Sequence, residues 1–127
     1  MLKRVLACTA VLALCALPLA AQGGGHMATA GNEMTITGQV VDLNCFTTNG
    51  QSGAGHKACA QACAKANVPL GVLSSDGTIY VPVSSHPGDP QNSKLEPFIE
   101  GKVKVTGMHR MVSGLHTIEI KTVSAAT

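Results

Sequence analysis

The sequence predicts a mainly β domain of the α+β kind: a small, partly open five-stranded barrel with a helix inserted after the first strand. Three observations carry this reading. Several short runs alternate apolar and polar residues, as in Val103 and Val105 set between lysines, and Ile118 and Ile120 set about Glu119. Asp76-Gly77 separates two apolar runs, a strong hairpin signal. The alanine-rich stretch HKACAQACAKAN lies between the first two strand candidates.

In chain order, MLKR, the apolar VLACTAVLALCAL and the small residues of PLAAQ have the layout of a secretory signal peptide over residues 1–21. Cleavage is expected after Ala21, with Ala20 as the neighbouring alternative. The apolar run is short for a membrane span and no second run follows it. Neither Cys8 nor Cys15 suits lipid attachment, since Cys8 comes too early in the run and Leu14, not a small residue, precedes Cys15. The protein is therefore expected to be exported, periplasmic or secreted. Residues 22–33 are glycine-rich and read as a flexible tether that carries His26 and Met27.

The domain is expected over residues 34–124. MTITGQVVDLNCF reads as the first strand, with Gly38 marking a bulge or sharp bend and Cys45 just past the strand end. TTNGQSGAG is a loop by composition, and it lacks the G-x-x-x-x-G-K-[ST] spacing of a phosphate cradle. The helix follows, with Asn67 as its C-terminal cap and Pro69 as its stop. PLGVLSS and TIYVPV form the hairpin. SSHPGDPQNS is a turn-rich loop in which His86 is solvated, and KLEPFIEG holds a short helical turn limited by Pro97. KVKVTGMHR and LHTIEIKTV are the last two strands, with His109-Arg110 at their turn.

Without the leader the nine basic residues become seven, matching the seven acidic ones. A neutral surface argues against nucleic-acid binding, which rests on phosphate neutralisation. Phe46, Tyr80 and Phe98 are too few for a base-stacking platform. No membrane span is expected. The partner is left as an unidentified small ligand or protein, and the oligomeric state is left open.

Five cysteines become three once the leader is removed: Cys45, Cys59 and Cys63. An odd number in an oxidising compartment leaves three readings of the pattern C-x10-H-x2-C-x3-C. In the first, His56, Cys59 and Cys63 share one helix face and meet Cys45, giving a Cys₃His set for zinc or copper(I). Asp42 then sits behind the ligands, fixing the histidine ring or a loop amide. In the second, Cys45 pairs with Cys59 or Cys63 in a disulfide that stabilises by about 3 kcal/mol. Cys59 and Cys63 cannot pair within an intact helix, since their Cβ atoms point the same way. In the third, a thiol beside His56 acts as a nucleophile or redox group, with Asp42 as the best orienting residue, although no C-x-x-C is present. A separate soft-ligand cluster, Met108, His109, Met111 and His116, is a weaker candidate for copper(I).

The segments VVDLNC, GHKACAQACAKANVPLGVL, DGTIYVPV and GKVKVTG resemble a group of small exported bacterial proteins that carry D-x-x-C, a histidine, C-x3-C and a closing V-x-V-x-G strand. The likeness spans about Thr35 to Val123 and matches at Asp42, Cys45, His56, Cys59 and Cys63. It implies an OB-like fold and no particular activity. The expected function is a non-catalytic binding domain with a Cys/His site holding zinc or copper. The alternatives are a disulfide-stapled OB-like module that binds a ligand or protein without metal, and a thiol-based redox protein.

Overall fold

A computed structural model describes residues 30–127. The expected signal peptide and most of the tether, with His26 and Met27, lie outside the described residues. Five strands close a barrel in the order β1-β2-β3-β5-β4 and back to β1. They are β1 (Asn32–Asp42), β2 (Leu70–Ser74), β3 (Ile79–Pro82), β4 (Lys102–Val112) and β5 (Leu115–Ala125). Three helices complete the domain: α1 (Leu43–Asn49), α2 (Lys57–Lys65) and α3 (Asn92–Leu95). No helix among the described residues is long and apolar enough to cross a membrane.

The barrel is closed rather than partly open. β1 pairs antiparallel with β4 over residues 32–39 and with β2 over residues 38–42, while β3 runs parallel to β5. Alternation along single strands reveals which face is buried, but not whether the two outer strands meet. Gly38 is the corner, the residue of β1 that opposes both Ser74 and Val103. A Cβ there would lie 2.5 Å from the carbonyl oxygen of Leu73. Gly38→Ala is therefore expected to cost about 1–3 kcal/mol, as overpacking does, read as a lower denaturation midpoint at an unchanged slope. A second irregularity falls at Thr106/Gly107, where β4 and β5 shift register.

The core follows the alternation. Val40, Val72, Val103, Val105 and Ile118 are fully buried, and Leu95 joins them from α3. Ala60 and Ala64, one turn apart on α2, are the small buried residues that let the helix sit close to the barrel. Asn67 ends α2 with a φ of 62°, as its capping role requires. The hairpin turn at Asp76-Gly77 is present, with Gly77 at a φ of 87°.

Five boundaries differ from expectation. β1 begins at Asn32, inside the expected tether, and β5 ends at Ala125, just past the expected domain limit. The run after β1, including Cys45, is not strand end and loop but helix α1. Asp42 caps its N-terminus by accepting from the backbone N–H groups of Asn44 and Cys45 at 2.8 and 3.1 Å, and Gly50 ends it at a φ of 66°. The turn between β4 and β5 is not at His109-Arg110. It lies at Ser113-Gly114, both with positive φ, which is the backbone of a two-residue hairpin turn. α3 starts at Asn92, within the run read as loop.

Candidate metal centre

Most of this centre is built by the connection from β1 to β2. α1 carries Cys45, α2 carries Cys59 and Cys63, and His56 ends the short 3-10 turn 54–56 that leads into α2. The two helices bring three thiols together: the Sγ atoms of Cys45, Cys59 and Cys63 all lie within 4.8 Å of one another. Thiolates on a tetrahedral zinc, each about 2.3 Å from the ion, stand about 3.8 Å apart. The cluster therefore fits a metal with a contraction of at most about 1 Å. Cys45 and Cys63 are half-buried and Cys59 is exposed, which leaves the ion a route in.

All three thiols are free, so neither expected disulfide, Cys45 with Cys59 or Cys45 with Cys63, is formed.

The four expected ligands do not form one group. His56 falls in a second, adjoining group with Asp42 and Cys45, whose ligand atoms again lie within 4.8 Å of one another. Cys45 belongs to both groups. The physical reason is that His56 precedes α2 rather than riding its cysteine face, and its ring is held from the barrel side. Its Nδ1 lies 2.9 Å from Oε1 of Glu100.

Glu100 organises this side of the centre. Its side chain is fully buried. One carboxylate oxygen meets His56, and the other accepts from the backbone N–H of Gly53 at 2.6 Å and from Nε2 of Gln39 at 2.8 Å. The residue stands just before β4 at a φ of 60°. The expected role of Asp42 is thus divided. Asp42 does fix loop amides, those of Asn44 and Cys45, but the histidine ring belongs to Glu100.

Among the described residues, two buried side-chain atoms have no conventional hydrogen-bond partner: Oδ2 of Asp42 and Nε2 of His56. An unsatisfied buried polar atom costs about 1–3 kcal/mol. In the neutral ring the proton sits on Nδ1, which faces a carboxylate, and Nε2 then offers a bare lone pair. A lone pair, a carboxylate oxygen and three thiols in adjoining groups are the donors a soft or borderline cation needs.

The electrostatics agree. Burial acts to raise the pKa of Asp42, but hydrogen bonds from the Cys63 thiol and from the amides of Cys45 and Asn44 outweigh it and hold the carboxyl below its ordinary value. The Cys63 thiol, bonded to that carboxylate and partly desolvated, is pushed up to about 12. Cys45 is also raised, by burial and then by the Asp42 charge. Nucleophilic and redox thiols need the opposite, a lowered pKa. A cation placed among these thiols reverses the balance and releases their protons.

The second expected cluster divides as well. Met108 lies on the other face of β4 from His109 and Met111. There it lines a cleft with Arg110, Glu119 and the 84–91 loop, including the exposed His86. His109 and His116 do meet: Nε2 of His109 lies 3.1 Å from Nδ1 of His116, with the rings stacked at 5.2 Å between centroids. Tyr80 approaches both rings edge-on, at 5.6 and 5.4 Å.

Burial, and then the neighbouring His116, lower the pKa of His109 from its ordinary 6.5. The unfolded chain therefore takes up this proton at a higher pH than the folded one. Stability is expected to be full above pH 6.5 and to fall as the pH drops below it. Denaturant unfolding at pH 7.5 and at pH 5 checks this, and His109→Phe should flatten the dependence.

Comparisons with protein-family models, with curated proteins and with solved structures give no significant match.

Proposed function

We propose that this chain is an exported, non-catalytic metal-binding domain, in which the thiolates of Cys45, Cys59 and Cys63 hold zinc or copper(I). His56 or Asp42 supplies the remaining ligand when the ion takes four. The observation that carries the proposal is the convergence of three free thiols beside a buried carboxylate oxygen and a buried imidazole nitrogen that have no nitrogen or oxygen partner. Closed five-stranded barrels of the OB-like kind use the connection from β1 to β2 for binding, and this connection carries the thiols.

A disulfide from Cys45 to Cys59 or Cys63 is the competing state of the same residues, favoured by an oxidising compartment. It would leave one thiol and no metal site.

Cobalt(II) titration of the reduced chain tests the proposal. The expected spectrum has strong sulfur-to-cobalt charge-transfer absorption, with ligand-field bands of a tetrahedral ion. Comparing His56→Ala with Asp42→Asn assigns the fourth ligand, because only the true ligand alters those bands. A chain with three reduced thiols that shows no charge-transfer absorption at saturating cobalt contradicts the proposal.

A further inference from the structure

We propose that His109, His116 and Met111 form a second metal site, specific for copper(I), near the turn between β4 and β5. It is separate from the cysteine centre and does not depend on it.

Register places the three side chains together. Met111 stands directly opposite His116 across the β4–β5 ladder, and directly opposed residues project from the same face. His109 is two residues before Met111 and shares that face. It is the face that carries the buried Val103 and Val105 further down β4. Both imidazoles are half-buried, while Met111 is 40% exposed, so the group is open to solvent from one side.

The two nitrogens that meet are spaced for an ion. Metal–imidazole bonds of about 2.0–2.1 Å to atoms 3.1 Å apart subtend roughly 100°, between the square-planar and tetrahedral angles. At present one ring donates a proton to the other. A cation takes the place of that proton once the donating ring changes tautomer, its proton passing through solvent to its other ring nitrogen, so that both facing nitrogens present lone pairs and both rings stay neutral. Tyr80 packs edge-on against both rings and limits how far they can turn.

The ligand set selects the metal. Two imidazoles alone suit several divalent ions, but a thioether adds preference for copper(I). Met108, which the sequence groups with these residues, projects from the opposite face and is excluded.

The test is an anaerobic titration of the full chain with copper(I), buffered by a chromophoric chelator. It is followed through the methyl resonances of methionine and the ring nitrogens of histidine. The Met111 methyl and the nitrogens of His109 and His116 are expected to shift together, while Met108 stays fixed. Met111→Leu, an exposed substitution with little risk to the fold, should weaken this uptake by about tenfold or more. His116→Asn should abolish it. The proposal is overturned if those resonances are unmoved in copper excess beyond what the thiols bind, or if Met111→Leu binds as tightly as the parent. Because each resonance belongs to one site, failure of the cysteine centre would show separately, as absent uptake at the thiols with the histidine signals still moving.

Discussion

Cys63→Ser is expected to lower zinc affinity by about a hundredfold or more. A full set of thiolate and imidazole ligands holds zinc with about 10–16 kcal/mol. One ligand of four then carries about 3 kcal/mol, or roughly two factors of ten. The metal-free stability should change little. The serine hydroxyl is close in shape to the thiol and can still donate to Asp42, the partner of Cys63. This second half separates the two states of the site. If Cys63 belonged to a disulfide, the same substitution would cost about 3 kcal/mol of stability. Competition against a chelator measures the first quantity and denaturant unfolding the second.

Glu100→Ala is expected to be the most damaging substitution of a side chain outside the apolar core. It leaves His56, Gly53 and Gln39 without their shared acceptor. Each buried donor that loses its acceptor costs about 1–3 kcal/mol, and three lose theirs together. Urea unfolding of the metal-free chain reads that loss directly. Glu100→Gln is the more informative variant. An amide placed in the same space can present its NH₂ to His56, so that Nδ1 becomes the acceptor and Nε2 takes the proton. The lone pair at Nε2 is then lost, although the packing is kept. Zinc affinity should fall by about 10–100-fold, as when an outer partner of a ligand is removed, with a smaller stability loss than in Glu100→Ala. Equal zinc affinity in the parent and the Gln variant would remove His56 from the centre and leave Asp42 as the fourth ligand.

The barrel was legible because burial imposes a period of two on its strands, and because Asp76-Gly77 and Asn67 are local signals whose conformations the chain adopts. Closure was not legible, since the pairing of β3 with β5 joins residues such as Val81 and Thr117 that no local pattern links. α1 was hidden by composition. Thr47, Thr48 and Asn49-Gly50 read as loop, yet Asp42 and Gly50 bracket them as caps, and the two threonine hydroxyls bond back to Leu43 and Asn44 within the helix.

At the site, the three cysteines were visible from spacing alone. The division of Cys₃His into two adjoining groups was not, because it depends on Glu100. That residue is 44 positions from His56 in the chain. Its only local mark is a carboxylate between the apolar Pro97, Phe98 and Ile99 and the glycine at 101. The misplacement of His109 at a turn had a similar origin. The strong turn signal, Ser113-Gly114, lay four residues further on, and moving the turn there makes His109 and His116 diagonal neighbours.

The metal centre is tested most simply by intact-mass spectrometry of the purified protein, native and then denatured, with alkylation. A zinc or copper mass that disappears on denaturation is expected, with Cys45, Cys59 and Cys63 all open to alkylation. A mass lighter by two hydrogens, with one alkylatable cysteine and no metal, would contradict it and make these residues a disulfide staple.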